Sequence, residues 1–159
     1  MTEQAFEQQI LAMTQELYRV AACLLRRPQD RQDAVQECIW KAWRSLHRLR
    51  REEQFRPWVM RILVNQCRSM GRRARFEISG EPPERPAAED PYESRLRDQT
   101  LRDAVLRLPE HLRLTVTLFY MDGFPLRETA RILGVPAGTV KSRLNHARAL
   151  LREDLEKEN

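Results

Sequence analysis

Apolar residues recur at intervals of three and four along almost all of this 159-residue chain, and no useful length of two-residue alternation interrupts them. That period lays side chains on one stripe of an α-helix and argues against strands. The first stripe runs from Phe6 through Ile10, Met13, Leu17 and Val20 to Leu24, and its helix should end near Arg27 because Pro28 follows. A second run, Val35, Cys38, Ile39, Ala42, Leu46 and Leu49, begins after Asp30, a good amino-terminal cap. The third starts near Phe55, has Pro57 in its first turn where a missing amide costs little, and continues through Trp58, Ile62 and Val64 to Met70.

The period then fails. Residues 77–91 hold Pro82, Pro83, Pro86 and Pro91 with Gly80 and several acids, the composition of a flexible linker. Helical spacing resumes at Leu96, Leu101, Val105 and Leu108, stops at Pro109, and resumes through Leu112, Val116 and Phe119. Asp122 and Gly123 mark a turn, and two further helices are expected over 126–133 and 136–155. The expected fold is all-α: two small helical domains, 1–75 and 96–159, joined by a linker over 76–95, the second ending in a helix-turn-helix.

Charge follows the same division. Residues 1–75 carry 15 basic and 8 acidic side chains, residues 76–95 carry 2 and 6, and residues 96–159 carry 11 and 9. Two basic units joined by an acidic connector suit a polyanionic partner, although an Arg-rich helix face can also be merely solvated. Cys23, Cys38 and Cys67 are odd in number, lack CxxC spacing and fall among apolar residues, which reads as buried free thiols in a reducing compartment. His47, His111 and His146 form no metal-ligand cluster with them, so neither metal nor cofactor is expected. No apolar run approaches the about 20 residues of a membrane span, and no signal-peptide pattern opens the chain, so the expected place is the cytoplasm.

Residues 126–145 read LRETARILGVPAGTVKSRLN. Ala130 falls where two helices of a helix-turn-helix cross, Gly134 where a left-handed turn is cheap only for glycine, and Val140, with Ile132 or Leu133 and Leu144, can close the small core. Lys141, Ser142, Arg143, Asn145 and Arg148 then project from the second helix, with chemistry suited to phosphates and base edges. A helical hairpin with an ordinary polar face is the competing reading. In the first domain, Asp33, Gln36, Glu37, Trp40 and Arg44 share one face of the second helix; Trp40 can anchor a partner or pack against a neighbouring helix, and spacing does not choose. Arg61, Asn65, Arg68 and Arg72 form a stripe on the third helix that suits a nucleic-acid backbone and an exposed base.

Taken in order, DAVQECIWKAWRSL, FRPWVMRILVNQCRSMGRR and LRLPEHLRLTVTLFYMDGFPLRETARILGVPAGTVKSRLNHARALL resemble the extracytoplasmic-function group of sigma factors, over about residues 17–151. The first domain resembles region 2 of that family and the second region 4. The resemblance implies that Asp33, Gln36, Glu37 and Trp40 dock on the clamp of core RNA polymerase. It implies that Ser45, Leu49 and Asn65 receive a base flipped from the minus-ten element, beside the 50–56 loop, with Arg61, Arg68, Arg72 and Arg73 holding the surrounding backbone. Lys141, Ser142, Arg143, Asn145 and His146 match positions that contact the minus-thirty-five element. His146 stands where Arg is frequent in the family and Leu49 where an aromatic can stand, so promoter sequence does not carry over.

The implied partners are core polymerase and promoter DNA. The resemblance also admits an anti-sigma factor, and it implies no small-molecule substrate and no direct membrane insertion. No nucleophile, paired catalytic carboxylates or phosphate-cradling glycine loop appears, so the chain is not expected to be an enzyme. Two rivals remain at this point. One is a helix-turn-helix regulator acting without a sigma role, which leaves the Asp33 to Trp40 face unexplained; the other is a sigma-like protein that only occupies polymerase or an inhibitor.

Overall fold

The computed structural model describes residues 1–77 and 99–157, so most of the expected linker, with Leu96, lies outside the described residues. Every regular element among the described residues is helical. Helix α1 spans Glu3–Leu24 and opens on Thr2, whose hydroxyl accepts from the Ala5 amide at 3.1 Å. It ends short of the expected Arg27, because Leu25 turns extended. Helix α2, Pro28–Arg44, begins on the proline itself rather than after Asp30. Proline has no amide to lose at a first helical position, so Asp30 lies in the first turn, where its charge faces the positive end of the helix dipole.

Short 3-10 turns over Leu46–Arg48 and Glu52–Gln54 lead into α3, Phe55–Glu77. This helix runs beyond the last apolar position of its stripe, Met70, and reaches Glu77, two residues past the 75 at which the three expected helices stop. The three helices close on Leu17, Val20, Val35, Cys38, Phe55, Leu63 and Cys67, all buried. Phe6 joins them at one edge, its ring 5.1 Å from Trp43 and 5.6 Å from Phe55 in edge-on contacts. Cys23, Cys38 and Cys67 are buried and free. Burial pushes the Cys38 and Cys67 thiols up to about 12, with a smaller push on Cys38 from Cys67 and on Cys67 from Cys23.

The second half contains α4 (Gln99–Arg107), α5 (Glu110–Val116), α6 (Leu126–Leu133) and α7 (Ala137–Lys157). Between α5 and the Asp122 turn, Thr117–Met121 widens into a π-helical turn closed by the Asp122 amide on the Thr117 carbonyl at 2.9 Å. Helical spacing alone does not foresee it. Gly134 ends α6 with φ 70° and ψ 34°, the left-handed conformation, and the Val135 amide reaches back to the Ala130 carbonyl at 3.1 Å. Ala130, Ile132, Leu133, Val140 and Leu144 are buried beneath the turn. The two halves also share one continuous apolar core: α6 lies against α3, and α5 against α1.

Candidate protein and nucleic-acid interfaces

The candidate docking residues lie on the surface of α2. Asp33, Gln36 and Glu37 are exposed, and Trp40 is 54% exposed, so its indole is not a core residue. The Arg44 guanidinium lies 5.8 Å from its ring centre. Trp43, 40% exposed, joins Trp40, Ile39, Phe6 and Gln36 around a groove of about 350 Å³ between α2 and the start of α1, edged by Glu3 and Glu7. An aromatic floor with an acidic rim is chemistry for a basic, partly apolar protein surface. The sequence reading found Gln36 and Trp40 but missed Trp43 and the α1 wall. Phe6 and Trp43 are 37 positions apart, and only tertiary packing brings them together.

A second cleft, of about 440 Å³, opens between the 48–54 segment, α3 and the carboxyl end of α6. Leu49 and Arg61 line it, whereas Ser45, half-buried at the end of α2, and Asn65 do not. Asn65 is exposed one turn along from Arg61 on the same stripe. The 50–56 loop was expected beside the minus-ten site; Arg48, Arg50, Arg51 and Trp58 line this cleft, with no carboxylate among the lining residues. Arg131 and Ile132 of α6 form the far wall. Arg61 donates to the Arg131 carbonyl and Arg68 to the Leu133 carbonyl at 3.4 Å, so these two guanidinium groups sit on the carboxyl end of α6, where free carbonyls and the helix dipole favour cations. Arg72 and Arg73 are exposed further along α3.

On α7, Lys141, Ser142, Asn145, His146 and Arg148 are exposed and Arg143 is half-buried. Arg148 is already engaged: its Nε donates to the Tyr120 hydroxyl at 2.5 Å, an Nη1 donates to the Asn145 Oδ1 at 3.2 Å, and its guanidinium lies 5.4 Å from the Tyr120 ring centre. These bonds orient Asn145 on the exposed face. Tyr120 belongs to the π-helical turn, which is why no spacing rule linked it to the recognition helix.

A third cluster lies at the seam between the halves and was not foreseen. Arg56 of α3 makes a bidentate pair with Glu16 of α1, both bonds 2.8 Å, lies 4.0 Å over the Phe124 ring centre and donates to the Asp122 carbonyl. Arg19 of α1 bonds Oδ1 of Asp122, while the buried Oδ2 of Asp122 has no partner. Burial pushes the Asp122 carboxyl up to about 6, against the downward pull of Arg19 and Arg56, with Glu16 adding to the push. Arg113 of α5 completes the seam by donating to the Cys23 carbonyl at 2.6 and 3.1 Å. Among the described residues no cluster of ligand side chains suited to a metal ion is present, and no helix is long and apolar enough to cross a membrane.

Two family models match the chain. Residues 10–77 match the family described as Sigma-70 region 2, and residues 98–151 match Sigma-70, region 4. An ECF RNA polymerase sigma factor, SigM, of Mycobacterium tuberculosis is 35% identical over 155 residues, covering 92% of this chain and 75% of that protein. The ECF RNA polymerase sigma-E factor of Escherichia coli is 36% identical over 138 residues, covering 75% of this chain and 70% of that protein. Among solved structures, the sigma factor RpoE of Bartonella quintana, in complex with the anti-sigma factor NepR, superposes with a TM-score of 0.84 at 27% identity over 98% of this chain and 99% of that one. CnrH, solved with the cytosolic domain of CnrY, shares the fold with a TM-score of 0.71 at 24% identity, over 99% and 92% of the two chains.

Proposed function

The chain belongs to the extracytoplasmic-function group of the sigma-70 family and is an RNA polymerase sigma factor, and on that premise we propose how its surfaces divide the work. Residues 1–75 dock on core polymerase and handle the minus-ten element, residues 96–159 read the minus-thirty-five element, and the segment between them connects the two. Asp33, Gln36, Glu37 and Trp40 form the docking face, extended by Trp43 and the acidic start of α1. The observation that carries this is the exposed indole of Trp40 beside the exposed carboxylates of Asp33 and Glu37 on one helix face.

At the minus-ten element, Leu49, Ser45 and Asn65 receive an unstacked base, and Arg61, Arg68, Arg72 and Arg73 hold the strand around it. Unstacking a base costs a few kcal/mol, so a pocket that takes only the right one stabilises melted DNA and discriminates sequence in the same step. Lys141, Ser142, Arg143, Asn145, His146 and Arg148 serve the upstream duplex. A helix-turn-helix regulator without a sigma role is set aside by the region 2 match, for which such a regulator has no use. The chain supplies no nucleotide chemistry, which belongs to the polymerase, and it works in the cytoplasm where that enzyme is found. An anti-sigma factor stands among its partners, as NepR does for the Bartonella quintana relative.

Replacing Asp33, Glu37 and Trp40 together with Ala tests the docking face. Association with core polymerase should weaken while circular dichroism keeps its helical signal, because all three side chains are exposed. Unchanged affinity for core polymerase would remove the assignment.

A further inference from the structure

The polar residues of α7 do not all face the same way. Val140, Leu144 and Ala147 are its buried residues, and the helix packs on α5 and α6. At about 100° per residue, Arg148 lies about 40° round the helix from Leu144 and about 60° from Asn145, so it borders the buried stripe while Asn145 stands farther out. Its guanidinium reaches back to the π-helical turn, where Nε bonds the Tyr120 hydroxyl and the group sits 5.4 Å from the ring centre. Within that turn Leu118 is buried and Phe119 half-buried, which leaves Tyr120 exposed, its ring edge-on to Phe119 at 5.0 Å.

Chemistry then fixes the amide of Asn145. A guanidinium carries donors only, so the group that meets Nη1 of Arg148 at 3.2 Å is the carbonyl Oδ1 and not the amino Nδ2. Nδ2 therefore lies on the far side of the amide carbon from Arg148, with its hydrogens free to donate. An asparagine that reads adenine uses both ends, Oδ1 accepting from N6 and Nδ2 donating to N7. Here Oδ1 is turned towards a cation, and the donor end faces away from it. In the major groove guanine offers the acceptors N7 and O6, and thymine offers O4. Adenine sets its N6 donors beside its acceptor, and cytosine offers only the N4 donor.

Resting on the assignment of α7 to the upstream duplex, we propose that Tyr120, Arg148 and Asn145 form a relay that sets one base preference of the helix-turn-helix. Asn145 is the member that touches a base, and it reads guanine or thymine in preference to adenine or cytosine. Tyr120 and Arg148 are positioning residues. Arg148 serves the duplex through Asn145 and not through a phosphate, since swinging out to a phosphate would give up the hydroxyl, the ring and the amide together. The planar fork of arginine is what spans two acceptors in fixed directions, and a lysine of the same charge has no such geometry. Tyr120 thereby influences base choice from a segment outside both helices of the helix-turn-helix.

Holoenzyme assembled from core polymerase and the full chain tests this, by run-off transcription on a promoter library randomised across the upstream element. Asn145→Ala should flatten the preference at one position and so identify the base that Asn145 reads. There the wild type should favour guanine or thymine over adenine by about fivefold, the lower end of what one good side-chain-to-base pairing discriminates. Tyr120→Phe keeps the ring and removes the acceptor, and Arg148→Lys keeps the charge and removes the fork. Both should close most of that gap by admitting adenine, at that position alone, and neither should change the salt dependence of promoter binding. Adenine favoured by the wild type at that position, or wild-type preference in Arg148→Lys, would overturn the relay. So would an Arg148→Ala chain that keeps its base preference but lowers the salt dependence by about one charge, the mark of a phosphate contact. Losses spread equally over all positions, with a lowered melting temperature, would make the two residues merely structural and refute the relay as well. An Asn145→Ala holoenzyme with unchanged preference at every position would instead overturn the assignment of Asn145 to the upstream duplex, and the relay with it.

Discussion

Asp122→Asn should raise thermal stability near neutral pH and lose that advantage in acid. In the wild type, burial lifts the carboxyl from 3.8 to about 6 despite Arg19 and Arg56, so at pH 7 the folded protein holds a charge that its site disfavours. A shift of about two units corresponds to about 3 kcal/mol at ~1.4 kcal/mol per unit. Asparagine keeps an oxygen for Arg19 but leaves an amide where Oδ2 had no partner, at a cost of about 1 kcal/mol or more. The net gain is about 1–2 kcal/mol, or about 2–8 °C in Tm for a chain of this size. The sign in pH follows from the raised folded value. The folded state binds the proton more tightly than the unfolded state, so the wild type carries its full penalty above about pH 6 and sheds it as pH falls through 6 towards 3.8. Melting followed by circular dichroism at about pH 7.5, 6 and 4.5, wild type beside variant, should show the difference shrinking. A variant less stable than wild type at neutral pH, or a difference that ignores pH, would refute the reasoning.

Other expectations are more local. Asn65→Ala should leave core polymerase binding and upstream duplex recognition unchanged but reduce permanganate reactivity of the melted region and relax preference at one minus-ten position; wild-type opening on every single-base variant of that element would eliminate the role. The Lys141→Ala, Arg143→Ala double variant should lose minus-thirty-five-dependent transcription, and each phosphate contact among them should lower the salt dependence of binding by about one charge; normal transcription from such promoters would refute it. Cys38 and Cys67, their thiols held up near 12, should resist Ellman's reagent in the native protein at about pH 8 and react only on denaturation, because thiolate is the attacking form; rapid native labelling of both would contradict their burial.

Much of the fold was legible because helices are written locally. The stripes from Phe6 to Leu24 and from Phe55 onward, the turn at Gly134 and the small core of Ala130, Val140 and Leu144 need only the helical period and the conformational freedom of glycine. Boundaries were less legible, since Pro28 can stop one helix or start the next and only the chain path between Leu25 and α2 decides. The faces carrying Asp33 to Trp40, Arg61 to Arg73 and Lys141 to Arg148 were visible for the same reason, as each lies along a single helix. Everything that joins distant segments came from tertiary structure: Phe6 against Trp43, Tyr120 under Arg148, Arg48 to Arg51 around Trp58, and above all the seam of Glu16, Arg19, Arg56 and Asp122. Spacing along a chain reports which side chains share a helix face, but the pairing of two faces depends on shape and charge complementarity between helices far apart in sequence. That pairing set α6 on the arginines of α3.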